Sequence, residues 1–228
     1  MTTETAPLDR RHRRRLETIE EVLDIAVDIM AEQGVVGLSV GEIARRMGIR
    51  PPSLYVYFPS KNALYDALFA RGAQLVLDAM TQLRATVDAA SPLEEQLLAS
   101  GRAFVAWCVA HPAYSQLLFW RPVPGFTPTA QAYAPAIQLL ELTAAWFADL
   151  QERGLVRADV DVAAVMRDWT VITSGVISQQ LTNAPDEDPE GGRFTAALPD
   201  LAAMFARHYG ATSSTSPRRG RARHADQR

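Results

Sequence analysis

The chain is poor in the residues that build covalent or metal frameworks. It has one cysteine, Cys108, in 228 residues. That excludes an internal disulfide and a four-cysteine metal site. The four histidines, His12, His111, His208 and His224, stand far apart, so no metal-ligand constellation forms. No run of about 18 apolar residues occurs, which excludes a membrane-spanning helix. The N-terminus has no apolar signal core, so the expected location is the cytoplasm. A glycine-rich phosphate loop, a Gly-x-Ser-x-Gly turn and a paired-histidine helix are all missing. Glu94 and Glu95 sit at a polar helix start, where carboxylates are solvated. Neither catalysis nor a cofactor is expected. Strand-type alternation is nearly absent as well, and the expected fold class is all-α.

What the chain has instead is helical periodicity, an apolar fraction of 48% and a charge of −3 that is unevenly spread. Residues 76–210 carry 8 basic against 15 acidic side chains, and residues 211–228 carry 5 against 1. Residues 1–75 balance at 10 against 10. Within them, Arg10, Arg11, Arg13, Arg14 and Arg15 form a basic arm, and Arg45, Arg46, Arg50 and Lys61 cluster further on. Basic segments beside an acidic body fit a protein that meets phosphate with one end only. The C-terminal arginines read as a solubilising tail.

Residues 39–61 carry the densest information. Ser39 caps a helix, with Glu42 at capping-box spacing. Ile43, Ala44 and Met47 form one apolar stripe, and Gly48 supplies a sharp stop. Pro51 and Pro52 open a second helix, whose first turn needs no donor. Leu54 and Phe58 turn inward, while Ser53, Tyr55 and Tyr57 point elsewhere. Ser60 and Lys61 start a third helix. An anchored helix followed by one that offers small, polar and aromatic groups is how a helix-turn-helix is built.

On Ile43-Ala44, Gly48-Ile49, Leu54-Tyr55, Tyr57-Phe58 and Ser60-Lys61, with the amphipathic stretch Ile19–Gly34 before them, the chain resembles the DNA-binding domain of the TetR/AcrR family of bacterial regulators. The resemblance covers about residues 16–75. It implies a ligand-responsive repressor that binds a palindromic operator as a homodimer. It also puts Tyr55, Tyr57 and Lys61 at positions that clamp the DNA backbone. From their chemistry, Arg50 can reach a guanine edge or a phosphate, Pro52 a thymine methyl, and Ser53 a phosphate oxygen. Ser39 and Pro51 complete the candidate DNA surface. Gly41 offers no side chain for base readout. The alternative for such a chain is a helical scaffold for protein partners.

About nine helices are expected: roughly 15–32, 40–47, 52–57, from 61 to a break at 88–91, 92–111, 113–120, 129–152, 161–181 and 193–208. Residues 121–128, with three prolines and a glycine, form a stiff loop. The expected organisation is a flexible basic arm over 1–15, a helix-turn-helix domain over 16–60, a helical ligand-binding and dimerisation domain over 61–210, and a disordered basic tail over 211–228. The family layout implies a pocket among the middle helices. Its candidate lining is Trp107, His111, Phe119, Trp120, Phe126, Tyr133, Trp146 and Trp169, which suits an apolar or aromatic effector. Phe126 is the candidate plug of that cavity. His111 before Pro112 reads more simply as a helix-end residue. Cys108, in an apolar run, is expected to be buried and inert. The eighth helix is apolar around much of its circumference, and the resemblance implies a dimer interface formed by the last two helices. Val165, Trp169, Ile172, Val176, Leu201, Met204 and Phe205 are the candidates for the dimer interface, as part of a four-helix contact.

Overall fold

The structure is a computed structural model that describes residues 10–211. Nine α-helices occur among them: α1 Arg10–Gln33, α2 Val40–Arg46, α3 Pro51–Leu54, α4 Lys61–Thr86, α5 Leu93–Ala110, α6 Pro112–Phe119, α7 Ala130–Glu152, α8 Val162–Asn183 and α9 Leu198–Tyr209. A single isolated bridge, Val156 to Gly210, is the only β-type pairing among the described residues. The all-α expectation holds.

Three boundaries differ from the sequence reading. Helix α1 begins at Arg10 rather than Arg15, so the second half of the expected flexible arm is helical. Arginine is a strong helix former, and the Arg15 guanidinium docks over the Tyr57 ring, 5.1 Å from its centre. Helix α3 is one turn, ending at Leu54. Helix α9 starts at Leu198, after a short 3₁₀ turn at Thr195–Ala197, with Pro199 in its first turn. Pro199 therefore stands where a helix tolerates proline. The remainder of the arm and the basic tail from residue 212 lie outside the described residues.

Two packed regions follow from the apolar stripes. In the first, Val22, Leu23, Ala26, Ile29 and Met30 of α1 meet Ile43 and Ala44 of α2, Leu54 of α3, and Leu64, Tyr65 and Leu68 of α4. The turn between α2 and α3 is fixed locally. Gly48 adopts φ 67°, its amide donates to Arg45 O at 3.2 Å, and the Ile49 amide donates to Ala44 O at 3.0 Å. This is the Schellman pattern, which needs a left-handed residue at that point. The second region packs Leu97 of α5, Trp146, Phe147 and Leu150 of α7, Val165 and Trp169 of α8, and Ala202 and Phe205 of α9.

Helix α4 joins the two regions. Its 26 residues make a rod about 39 Å long. Its N-terminal half is built into the first core, and its last turn carries Arg84 into the second region. Polar contacts pin it at its flanks. The Tyr65 hydroxyl donates to Val35 O at 2.7 Å. Arg71 pairs with Asp24 of α1 at 2.5 Å. Asp66 accepts from both the amide and the hydroxyl of Thr129, at 2.7 and 2.8 Å, where α7 begins.

Helix α6 crosses α4 at Gly72, where a Cβ would meet the ring of buried Tyr114 at 2.5 Å. Alanine is ordinarily the better residue in a helix interior. Here Gly72→Ala is expected to lower stability by about 1–3 kcal/mol through overpacking, and the melting temperature with it. An unchanged or raised melting temperature shows that α4 and α6 separate without cost.

Candidate nucleic-acid interface and effector cavity

The reading head exposes what the sequence offered. Ser39 caps α2, accepting the Glu42 amide at 3.4 Å. The reciprocal half of the capping box is not made. Glu42 turns instead to Arg45 at 2.7 and 2.8 Å and to Arg46 at 2.9 Å. Those two guanidinium partners hold its carboxyl down to about 2. Arg46 also grips Glu32 of α1 at 2.5 Å, locking α2 onto α1. Arg45 and Arg46 are thus neutralised from within. Arg50, just before α3, is exposed and makes no side-chain hydrogen bond at that cap.

Pro51, Pro52 and Ser53 are exposed along α3, and Tyr55 is half-exposed. Tyr57 is partly buried against the first core under Arg15. Lys61 is exposed at the start of α4, its ammonium 3.4 Å from Val36 O. Seven of the eight candidates, Ser39, Arg50, Pro51, Pro52, Ser53, Tyr55 and Lys61, are thus exposed, and Tyr57 is half-buried. One exposed residue was missed from sequence: Val56, between the tyrosines, is 68% exposed. The arginine arm, expected near DNA because it abuts the helix-turn-helix, opens α1, where Arg10, Arg11, Arg14 and Arg15 form a basic cleft against Val56 and Tyr57.

The cavity list divides. Phe119, Trp146 and Trp169 line an apolar space of about 200 Å³ between α4, α5, α7 and α8. Tyr133 lines an adjoining lobe of about 150 Å³ on the far side of Phe119. Trp107, His111, Trp120 and Phe126 line neither. Trp107 stacks on His111 with ring centres 4.7 Å apart, and the His111 Nδ1 lies 2.8 Å from Trp107 O. That is a helix-end arrangement. Trp120 stays partly exposed after α6. Phe126 packs on Tyr65 at 5.5 Å, within the first core, so it does not plug the cavity. The sequence reading missed Met80, Arg84, Ser100, Phe104 and Leu139, which complete the walls. Arg84 comes from α4.

The interface list also divides. Val165, Trp169, Val176 and Phe205 are buried inside the protomer's own core and cannot face a second copy. Ile172 and Leu201 are partly buried, and Met204 is 57% exposed. The outward face of α8 carries Val171, 65% exposed, and Gly175, with open space at its Cβ position.

Among the described residues, no group of three or more His, Cys, Asp or Glu side chains is placed to hold a metal ion. No helix is long and apolar enough to cross a membrane.

A helix-turn-helix followed by a larger helical domain is the layout of a DNA-binding regulator, and the chain's curated relatives include HTH-type transcriptional regulators. Residues 22–68 match the profile described as bacterial regulatory proteins, tetR family. Residues 97–201 match the tetracyclin repressor-like C-terminal domain. The chain belongs to the TetR family. An HTH-type transcriptional regulator of Mycobacterium tuberculosis is 28% identical over 129 residues, 54% of this chain and 52% of that one. The match thus spans about half the length of that curated relative. Among solved structures, a protein of unknown function from Rhodococcus sp. RHA1 superposes with a TM-score of 0.71 at 19% identity, covering 84% of this chain and 95% of that one. The transcriptional regulator FadR from Bacillus subtilis, in complex with stearoyl-CoA, gives 0.66 at 14% identity, covering 82% and 97%. At these identities the solved structures establish the fold alone.

Cys108 is fully buried, and burial pushes its thiol up to about 12. The thiolate is the reactive form, so Cys108 should resist a disulfide-exchange reagent in the native protein and react once after denaturation. Rapid native labelling overturns the assignment of an inert core thiol.

Proposed function

We propose that the chain is a ligand-responsive transcriptional repressor that acts in the cytoplasm and binds a palindromic operator as a homodimer. The observation that carries this reading is the division of charge on the reading head. Arg45 and Arg46 are tied to Glu42 and Glu32, while Arg50, Lys61 and the arginines that open α1 are left facing solvent around α3. A surface that neutralises some arginines internally and leaves others beside a short helix suits phosphate contact on both sides of a major groove.

In this reading Arg50 and Pro52 meet base edges. Ser53, Tyr55, Tyr57 and Lys61 fix phosphates. Ser39 and Pro51 hold the two helices in place. Two reading heads on a two-fold axis imply a palindromic site. For the dimer, the outward residues Val171 and Gly175 of α8 and Met204 of α9 replace the buried ones expected from sequence. Gly175 permits close approach of a partner helix. Effector binding at the far end of α4 changes how that helix sits, and its N-terminal end carries Lys61. A ligand needs only to bind one setting of α4 better than the other.

Two experiments test this. Selection of operator DNA from a random pool, followed by retardation at increasing salt, should give a palindrome. Lys61→Ala should weaken binding to all sequences alike and reduce the salt slope by roughly 0.9. Arg45→Ala should leave the slope unchanged, because its charge is already met by Glu42. A chain that retards no DNA at low salt is a scaffold, not a repressor. In sedimentation, Val171→Arg should convert a dimer to a folded monomer, since it places a charge in the proposed contact. A dimer that persists in this variant moves the interface elsewhere.

A further inference from the structure

At the end of α4 one guanidinium with a buried nitrogen has no ion-pair partner among the described residues. Arg84 stands in the last turn of α4, with its guanidinium 3.5 Å from the ring centre of Trp146. Its Nη2 donates to the Ser100 hydroxyl at 3.1 Å. Its Nη1 is buried and has no hydrogen-bond partner among the described residues. Burial lowers its pKa to about 10, so it remains a cation at neutral pH. A buried cation that has only a hydroxyl and an aromatic face is under-satisfied, and a carboxylate matches the guanidinium fork. Trp146 and Ser100 hold that fork in one orientation.

The position of Arg84 is more telling than its charge. It forms the boundary between two spaces. On one side lies a cleft of about 230 Å³ with Gln96, Asp149 and Arg153 in its wall. Arg153 is paired with Asp149 at 2.8 Å, so those two charges cancel and Arg84 is the charge left over. On the other side lies the apolar 200 Å³ space, bounded by Phe104, Phe119, Leu139 and Trp169. The 150 Å³ lobe continues past Phe119. At about 30 Å³ for a water-sized group, the two apolar spaces hold on the order of ten carbons.

We propose that the effector is an amphiphile with a single carboxylate, its head on Arg84 and its apolar tail running past Phe119. One free cation favours one negative charge. A dianion leaves a surplus charge next to Asp149. A neutral apolar ligand leaves Arg84 as unmet as before. The proposal deepens the repressor reading by naming the class of effector, and it concerns binding at a site whose occupancy is measured without DNA.

The test uses the full-length protein and matched ligand pairs: octanoate, decanoate and 4-phenylbutyrate, each against its primary amide. Tryptophan fluorescence reports binding directly, because Trp146 and Trp169 line the space, and thermal shift reports it independently. At least one carboxylate should bind tenfold or more tighter than its amide. Arg84→Met should erase that preference and leave both partners bound equally weakly through the tail, and Arg84→Gln should do the same. Retention of operator binding by the ligand-free variants shows that they are folded. No carboxylate preference in the wild type, or a preference that survives both substitutions, overturns the proposal. Operator binding stands or falls separately. A wild type that prefers the carboxylate but retards no DNA refutes the repressor reading and keeps the anion site. One that retards DNA but ignores the carboxylate does the reverse.

Discussion

The rest of the structure depends on α4 being one unbroken helix. It has no proline between Lys61 and Thr86, so its backbone hydrogen bonds run continuously from the reading head to the cavity. Leu64, Tyr65 and Leu68 belong to the reading-head core, whereas Met80 and Arg84 belong to the cavity wall. Side chains twelve to twenty residues apart on one rod therefore sit in two different environments. A displacement at one end has no joint in which to dissipate before it reaches the other.

The pins on α4 differ in kind, and the difference bears on coupling. The Tyr65 to Val35 bond is buried, and its loss leaves a buried carbonyl unmet. The Arg71 pairs with Asp24 and Glu20 face solvent on the acid side, and exposed ion pairs contribute little. Asp66 ties α4 to the first residues of α7 through two hydrogen bonds to Thr129. The middle of α4 is also buried, through Phe69, Ala73, Val76 and Leu77, so its exposed ion pairs add to apolar seating and do not replace it.

The reading head was legible because its signals are local. Gly48, Ser39, Ser60 and the Pro51-Pro52 pair act on their own backbone within a turn, and neighbours in space do not change what they do. The cavity and the interface were only partly legible, because both depend on which side of a helix faces inward. On α8 apolar residues occur nearly all round, and periodicity could not separate Val176, which faces Val105 and Leu198 in the core, from Val171, which faces out. The aromatics of the middle helices divided for the same reason. Phe126 and Trp107 are as apolar as Trp146, but tertiary packing drew the first two into the protomer's core. Arg84 was illegible for another reason. A cation in the last turn of a helix is ordinarily a complement to the dipole, and only Trp146 and Ser100, brought in from α7 and α5, give it a different meaning.

Three of the buried polar atoms that lack a hydrogen-bond partner among the described residues are Arg71 Nη1, Arg84 Nη1 and Tyr114 Oη. The first two belong to α4, and the third belongs to the ring that approaches α4 at Gly72. A buried donor without a partner costs free energy, so a ligand group that meets one of these atoms is favoured by that amount. Local rules give way most often where function requires it. The polar incompleteness of α4 thus bears on its role as the link between cavity and reading head: a ligand that satisfies one of these donors favours the seating of α4 in which it does so.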